Sequence, residues 1–287
     1  MAIRALVVGG TAGIGFAMAS RIAAEASSSA VIISGRTKPN VIPHANMEFR
    51  PLDASSMHNI KQYTSAFKSS PGQELDFLIM TQSILTMAGR TETSEGIDRK
   101  MALNYYGRQL LLRELLPVLK KDAKVIIVLD GRFGSPSRLD WDDLDLKKHF
   151  SLSKAANHCM VMHDAMIQYH AAQQQQQRQG GIERHFIHAY PGAVNTDFSK
   201  KVPWYLKHIT AAASHVLATK PDDCAKYLLT GAAECAVAGN AEGRFWSNIN
   251  QKGHLVAGKL IWSEEQLQRI ADHTWGIVDG AAAKGSS

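Results

Sequence analysis

An apolar run, Ile3–Val8, ends directly in Gly9-Gly10-Thr11-Ala12-Gly13-Ile14-Gly15, and the residues after it, Phe16–Glu25, carry helical spacing. Few folds accept spaced glycines between a strand and a helix. Glycine is needed where the turn is tight, where backbone must approach a pyrophosphate, and where strand and helix pack closely. The helix start adds unpaired N–H groups and the positive end of a dipole. A glycine spacing alone says little. With a strand before it and a helix after it, it predicts a mononucleotide-binding β-α unit at the head of an open α/β sheet.

The rest of the chain repeats that grammar. Short continuous apolar runs recur at Val31–Ser34, Met47–Phe49, Phe77–Met80, Val125–Leu129 and Phe186–Ala189, with a seventh strand expected at Arg244–Ser247. Runs that do not alternate mark strands buried on both faces, hence a parallel sheet with crossover helices. Met57–Lys68, Ile97–Lys120 and Leu152–Gln177 carry helical spacing. The expected fold is α/β: a Rossmann-type doubly wound parallel sheet of about seven strands. A single domain is expected over residues 1–279, and the Ala-, Gly- and Ser-rich tail 280–287 is expected to fray. The tract Gln173–Gln177 reads as a solvated helix end.

After the second strand such a fold chooses between a carboxylate for a ribose 2′-hydroxyl and a cation for a 2′-phosphate. This chain has Ser34-Gly35-Arg36-Thr37-Lys38. A guanidinium grips phosphate through paired hydrogen bonds, so the expected cofactor is NADP(H) and not NAD(H).

A formal charge of +6 permits an anionic ligand. Lys and Arg are nevertheless scattered, without a basic stripe or interleaved aromatics, so no nucleic-acid partner is expected. Cys159, Cys224 and Cys235 lack CxxC spacing, and His158, His163, His170, His185 and His188 lack ligand geometry, so neither a disulfide framework nor a metal site is expected. No apolar run reaches membrane-spanning length and no signal segment opens the chain, which points to a cytoplasmic protein.

These residues resemble the short-chain dehydrogenases/reductases over essentially the whole chain. The family's TGxxxGxG loop is matched by Val8-Gly9-Gly10-Thr11-Ala12-Gly13-Ile14-Gly15, with Val8 for its Thr; Leu75-Asp76-Phe77-Leu78-Ile79 is similar to its fourth strand. The stretch Asp140 to His158 resembles the retinol-dehydrogenase-like branch, particularly its fungal secondary-metabolism members. The resemblance implies that Gly9, Thr11, Gly13, Ile14, Gly15 and Arg36 hold the cofactor and that Asp53 meets its adenine. It implies that Pro191, Gly192, Val194 and Thr196 of Pro191-Gly192-Ala193-Val194-Asn195-Thr196 pack around the nicotinamide. Asn104 falls at the mid-helix catalytic Asn, and Lys154 at the lysine that holds the nicotinamide ribose. An insertion near 198–218, with Trp204, Tyr205 and Leu206, would cover an apolar substrate. Helices such as Ile97–Lys120 and Leu152–Gln177 pair subunits in the family, so a homo-oligomer is expected.

The catalytic pattern departs from the family at two places. Its Tyr-x-x-x-Lys sets a phenol and an ammonium on one helix face, where the lysine lowers the phenol pKa. Here Phe150-Ser151-Leu152-Ser153-Lys154 keeps the lysine and lacks the phenol. The helper serine is missing from Asp130-Gly131-Arg132-Phe133-Gly134, Ser135 and Ser137 being out of register, and Met80-Thr81-Gln82-Ser83 replaces an asparagine-rich segment. Candidate replacement groups are Asp130 and Arg132 at the end of the fifth strand, then His149 and Tyr190. Cofactor-holding residues are thus retained while proton-transfer residues are lost. The reading is an atypical NADP(H)-dependent oxidoreductase that reduces a hydrophobic carbonyl or an iminium, the latter needing no proton from a phenol. A non-redox cyclase, isomerase or dehydratase and a catalytically silent NADP(H)-binding protein stay open as alternatives.

Overall fold

A computed structural model describes residues 2–70, 72, 74–176, 181–195 and 218–284. Seven parallel strands form one sheet: β1 (Arg4–Val8), β2 (Ala30–Gly35), β3 (Met47–Pro51), β4 (Leu75–Met80), β5 (Leu119–Val128), β6 (His185–Ala189) and β7 (Trp246–Ile249). Their spatial order is β3-β2-β1-β4-β5-β6-β7. Strand order reverses between β1 and β4, so a crevice opens there at the carboxyl ends of the strands.

Helices cover both faces because successive strand residues point to opposite sides. Leu6 and Val8 join an apolar layer with α2 (Met57–Ser69), α3 (Gly107–Leu115), α4 (Leu152–Gln176) and α6 (Glu264–Lys284). Ala5 and Val7 join the opposite layer with α1 (Gly13–Glu25) and α5 (Pro221–Ala241).

Three expectations need correction. The helix expected over Ile97–Lys120 is broken into Arg99–Met101, a π-helical turn Ala102–Tyr106, and α3; a 3-10 turn Leu116–Val118 follows. Pro117 has no N–H to continue the ladder, and the chain enters β5 at Leu119. The seventh strand begins two residues later than expected, at Trp246, because Gly243, at φ +70°, first turns the chain out of α5. The tail does not fray at 280: α6 runs to Lys284, with Ala281 buried against the core.

The last helix has a further consequence. Tyr105 and Tyr106 hydroxyls meet Thr274 Oγ1 at 2.7 Å and His273 Nε2 at 2.9 Å, and the His170 and Trp275 rings lie 6.2 Å apart. Arg113 stacks on Trp275 and pairs with Asp279. The chain's own C-terminal helix thus covers the α3 and α4 faces through which subunits were expected to pair. Among the described residues no helix is long and apolar enough to cross a membrane.

Candidate functional site

The glycine loop leaves β1 with Gly9 at φ +81° and enters α1 through Gly13 at φ +56°, backbone conformations that L side chains rarely adopt. A Cβ on Gly9 would sit 2.6 Å from Thr81 Oγ1, and one on Gly15 would overlap the same oxygen. A Cβ on Gly35 would lie 2.8 Å from Thr11 Oγ1, so the β2 end closes on the loop as well. Helix α1 has Ala12 at its N-cap with no side-chain bond, and no acidic residue in its first turn. Its first N–H groups are therefore left for an anion, whereas α2, whose N-cap Ser56 accepts from Asn59 N–H, is closed. Ile14 packs its half-buried side chain on the α1-side core.

At the end of β2, Arg36 and Lys38 are exposed, and neither pairs with a described residue. The carboxylate of Asp53 caps its own turn, accepting from Ser55 N at 3.0 Å and Ser55 Oγ at 2.6 Å.

Past β4 the backbone of Gln82 abuts Gly9, and the side-chain amide of Gln82, 7% exposed, has no partner on either atom among the described residues. Asn104 lies in the π-helical turn; its Oδ1 is buried without a partner. Its backbone carbonyl accepts from His163 Nε2 at 2.8 Å, and His163 Nδ1 then takes an N–H from Gln109 at 2.9 Å. Burial holds the His163 imidazole well below its ordinary pKa, hence neutral. Buried orphan amides beside a cradle that any Cβ would fill fit a bound dinucleotide, which would pair them.

At the ends of β5 and β6 an aromatic corner forms. Asp130 Oδ1 accepts from the N–H groups of Arg132 and Phe133 at 3.0 and 3.1 Å, so this carboxylate shapes the turn. Arg132 stacks on Phe133 at 4.8 Å, and Phe133 meets Tyr190 edge-to-face at 5.4 Å. Burial, then the Asp130 charge, push the Tyr190 phenol up, keeping it protonated. Pro191 and Gly192, the latter at φ +71°, follow; Val194 bridges to Thr219. Thr196 and nearly all of the 198–218 insertion lie outside the described residues.

Ser151 Oγ accepts from Lys154 N–H at 3.2 Å and Ser151 O from Ala155 N–H at 2.9 Å, so Ser151 caps α4. Phe150 lies ahead of that cap, under the Lys100 ammonium at 5.0 Å, and does not share a helical face with Lys154. Lys154 Nζ pairs with Asp140 at 3.2 Å. Ser135 is pinned to Asn157 of α4 through N–H and C=O bonds of 2.9 and 3.1 Å. His149 is exposed and points at Asp140 and Asp143.

The structure adds one group that motif reading passed over. Arg108, wholly buried, donates to Val128 O at 3.0 Å and to Gln82 O at 2.5 Å. An arginine one turn after Asn104, ahead of the apolar Leu110–Leu112 run, was its only trace in the sequence.

A family model for the short chain dehydrogenases matches residues 4–132, from β1 through the turn after β5. Over those residues the chain matches the short-chain dehydrogenase family. It is similar to oxidoreductase AN1596 of Emericella nidulans, 34% identical over 207 residues, which are 68% of this chain and 59% of that protein. The chain thus spans about three-fifths of that relative's length. An uncharacterized oxidoreductase of Saccharomyces cerevisiae is 29% identical over 96% of this chain and 87% of its own. Among solved structures, a short-chain dehydrogenase/reductase from Burkholderia multivorans with bound NADP superposes with a TM-score of 0.59, at 16% identity, over 89% of this chain and 99% of that one.

Proposed function

We propose that this chain binds NADP(H) and acts as an atypical reductase on an apolar small molecule whose acceptor carbon is a carbonyl or an iminium. The observation that carries the reading is the contrast between two halves of one crevice. The glycine cradle and uncapped α1 keep a complete place for a dinucleotide, and Arg36 stands free where a 2′-phosphate would lie. The proton-donating half is empty of its usual groups: Phe150 has no hydroxyl, Ser135 is held by Asn157, and Lys154 is engaged by Asp140.

When bound, the cofactor would supply a hydride. Residues Gly9, Thr11, Gly13, Ile14 and Gly15 would receive its pyrophosphate, and Arg36 its 2′-phosphate, while Asp53 would lie near the adenine. Pro191, Gly192, Val194 and Thr196 would flank the nicotinamide, with Lys154 at its ribose. Asn104 and Gln82 would offer carboxamides to that ribose or to the substrate. Orientation of two reactants contributes about 7–11 kcal/mol, against about 10²–10⁴-fold for a positioned acid, so hydride transfer outlives the loss of the phenol when the acceptor is already cationic. Phe133 and Tyr190 give the mouth an apolar edge suited to a hydrophobic substrate, and Arg132 and the Tyr190 phenol are the polar groups beside it. A role in secondary-metabolite biosynthesis belongs to this reading through the resemblance.

The test pairs calorimetric titration of NADPH with absorbance-monitored turnover of a cyclic iminium and its parent ketone. Tight NADPH binding with faster oxidation by the iminium supports the reading. Tight binding with a cofactor that is never consumed overturns the reductase and leaves a non-redox or binding role.

A further inference from the structure

Arg108 stands one turn beyond Asn104 and staples the carboxyl ends of two strands, its amino groups bonding Val128 O after β5's core and Gln82 O after β4. Both partners are neutral carbonyls. Among the described residues no carboxylate pairs with the guanidinium, and its Nε has no partner. The neighbouring titratable groups supply no negative charge: burial pushes the Cys159 thiol up to about 12, and His163 is kept neutral. A buried cation without a counter-ion is costly, yet two carbonyls could be tied by an uncharged amide at no such cost. Burial lowers the guanidinium to about 9, so it remains protonated at neutral pH. The charge itself therefore needs an account.

Its location supplies one. Gln82 carries the guanidinium's bond on its carbonyl and abuts Gly9 with its N–H, so a single residue separates Arg108 from the glycine cradle. Arg36 marks the adenine half of the crevice at the end of β2. The ends of β4, β5 and β6 then face the nicotinamide half. Oxidised and reduced cofactors carry the same phosphates but differ at the ring, which is cationic in NADP+ and neutral in NADPH. A fixed cation on the nicotinamide half of the crevice would attract the phosphates of both forms alike and repel only the oxidised ring.

We propose that Arg108 sets the redox preference of the site, making it hold NADPH more tightly than NADP+ and run as a reductase. The inference rests on the NADP(H) reading above. In the favoured direction a hydride leaves the dihydronicotinamide C4 and forms a C–H bond at the acceptor carbon. An iminium's π pair moves to nitrogen and leaves the neutral amine, a carbonyl's π pair moves to oxygen, which takes a proton from solvent, and the oxidised ring would carry the positive charge that Arg108 disfavours. Oxidised cofactor is thus expelled in exchange for reduced.

The test measures dissociation constants for NADPH and NADP+ separately, by calorimetry near neutral pH at fixed salt, in the unaltered protein, Arg108→Lys, Arg108→Met and Arg108→Gln. We expect NADPH to bind about tenfold tighter than NADP+ in the unaltered protein, about 30 mV in the bound two-electron couple. Arg108→Lys keeps most of that ratio, and Arg108→Met brings it close to unity. If the Met variant does not fold, Arg108→Gln, whose amide still reaches a carbonyl, decides in its place. A ratio equal in all variants, with both affinities falling together, overturns the proposal and leaves Arg108 a structural staple. Failure of the unaltered protein to bind either form overturns instead the NADP(H) reading beneath it.

Discussion

The Lys154 ammonium lies 3.2 Å from the Asp140 carboxylate, and the side chain of Lys154 is 38% exposed. The ammonium beside Asp140 holds its carboxyl below the usual range. A lysine that meets a cofactor must share itself with this partner or leave it. Lys154→Ala is expected to weaken NADPH binding about three- to tenfold, the value of a partly solvated charge-assisted bond. Asp140→Asn, which releases the ammonium, is expected to tighten it severalfold. Titration calorimetry checks both, and unchanged constants in the two variants would remove Lys154 from the site.

Cofactor choice rests on the β2 end. Arg36→Glu is expected to abolish a preference for NADPH over NADH by costing NADPH about 1–3 kcal/mol, with little loss for NADH. Competitive titration of the two cofactors is the measurement; equal affinities in the unaltered protein would already refute it.

Restoring the missing hydroxyl should do less than the sequence suggests. With Ser151 capping α4 between them and Lys154 engaged by Asp140, Phe150→Tyr is expected to leave NADPH affinity unchanged and simple-ketone turnover near background. Turnover in the usual range for the family, from either protein, would show that another acid serves the carbonyl.

Stability should fall on mild acidification. Burial lowers His170 to about 3 and His185 to about 4, against about 6.5 when unfolded. Folded imidazoles with depressed pKa contribute stability that is complete above the unfolded value and is lost as the pH falls toward the folded one. Between about pH 6.5 and pH 5 these two alone should cost about 3 kcal/mol, and His158, His163 and His273, lowered likewise, act with the same sign. Urea unfolding across that range is the check, and a flat midpoint would contradict it.

The sheet was legible because its strands are continuous apolar runs bounded by glycine and polar turns, and six of the seven expected runs overlap observed strands in full or nearly so. What failed was punctuation. Pro117 ended a helix whose apolar spacing seemed to run on, and two C-terminal helices went unread despite clear starts: Pro221 with Asp222 and Asp223, and the reciprocal Ser263–Gln266 cap. At the site, glycine positions carry backbone constraints that sequence records directly. The setting of Lys154 or Arg108 does not, since a counter-ion fourteen residues away or a pair of strand-end carbonyls is a tertiary fact.

The helix Glu264–Lys284 lies across the π-helical turn through Tyr105–Thr274 and Tyr106–His273, across α3 through Arg113–Asp279, and across α4 through His170–Trp275. Contacts between separate chains weaken on dilution, because each association is bought again from free solution; a tether supplies its partner at constant effective concentration. The unfolding midpoint of this protein should accordingly be the same at low and high protein concentration. The cost falls on the end of the chain, where loss of α6 would strip cover from Tyr105, Tyr106 and His170 at once and leave a broad aromatic surface facing water.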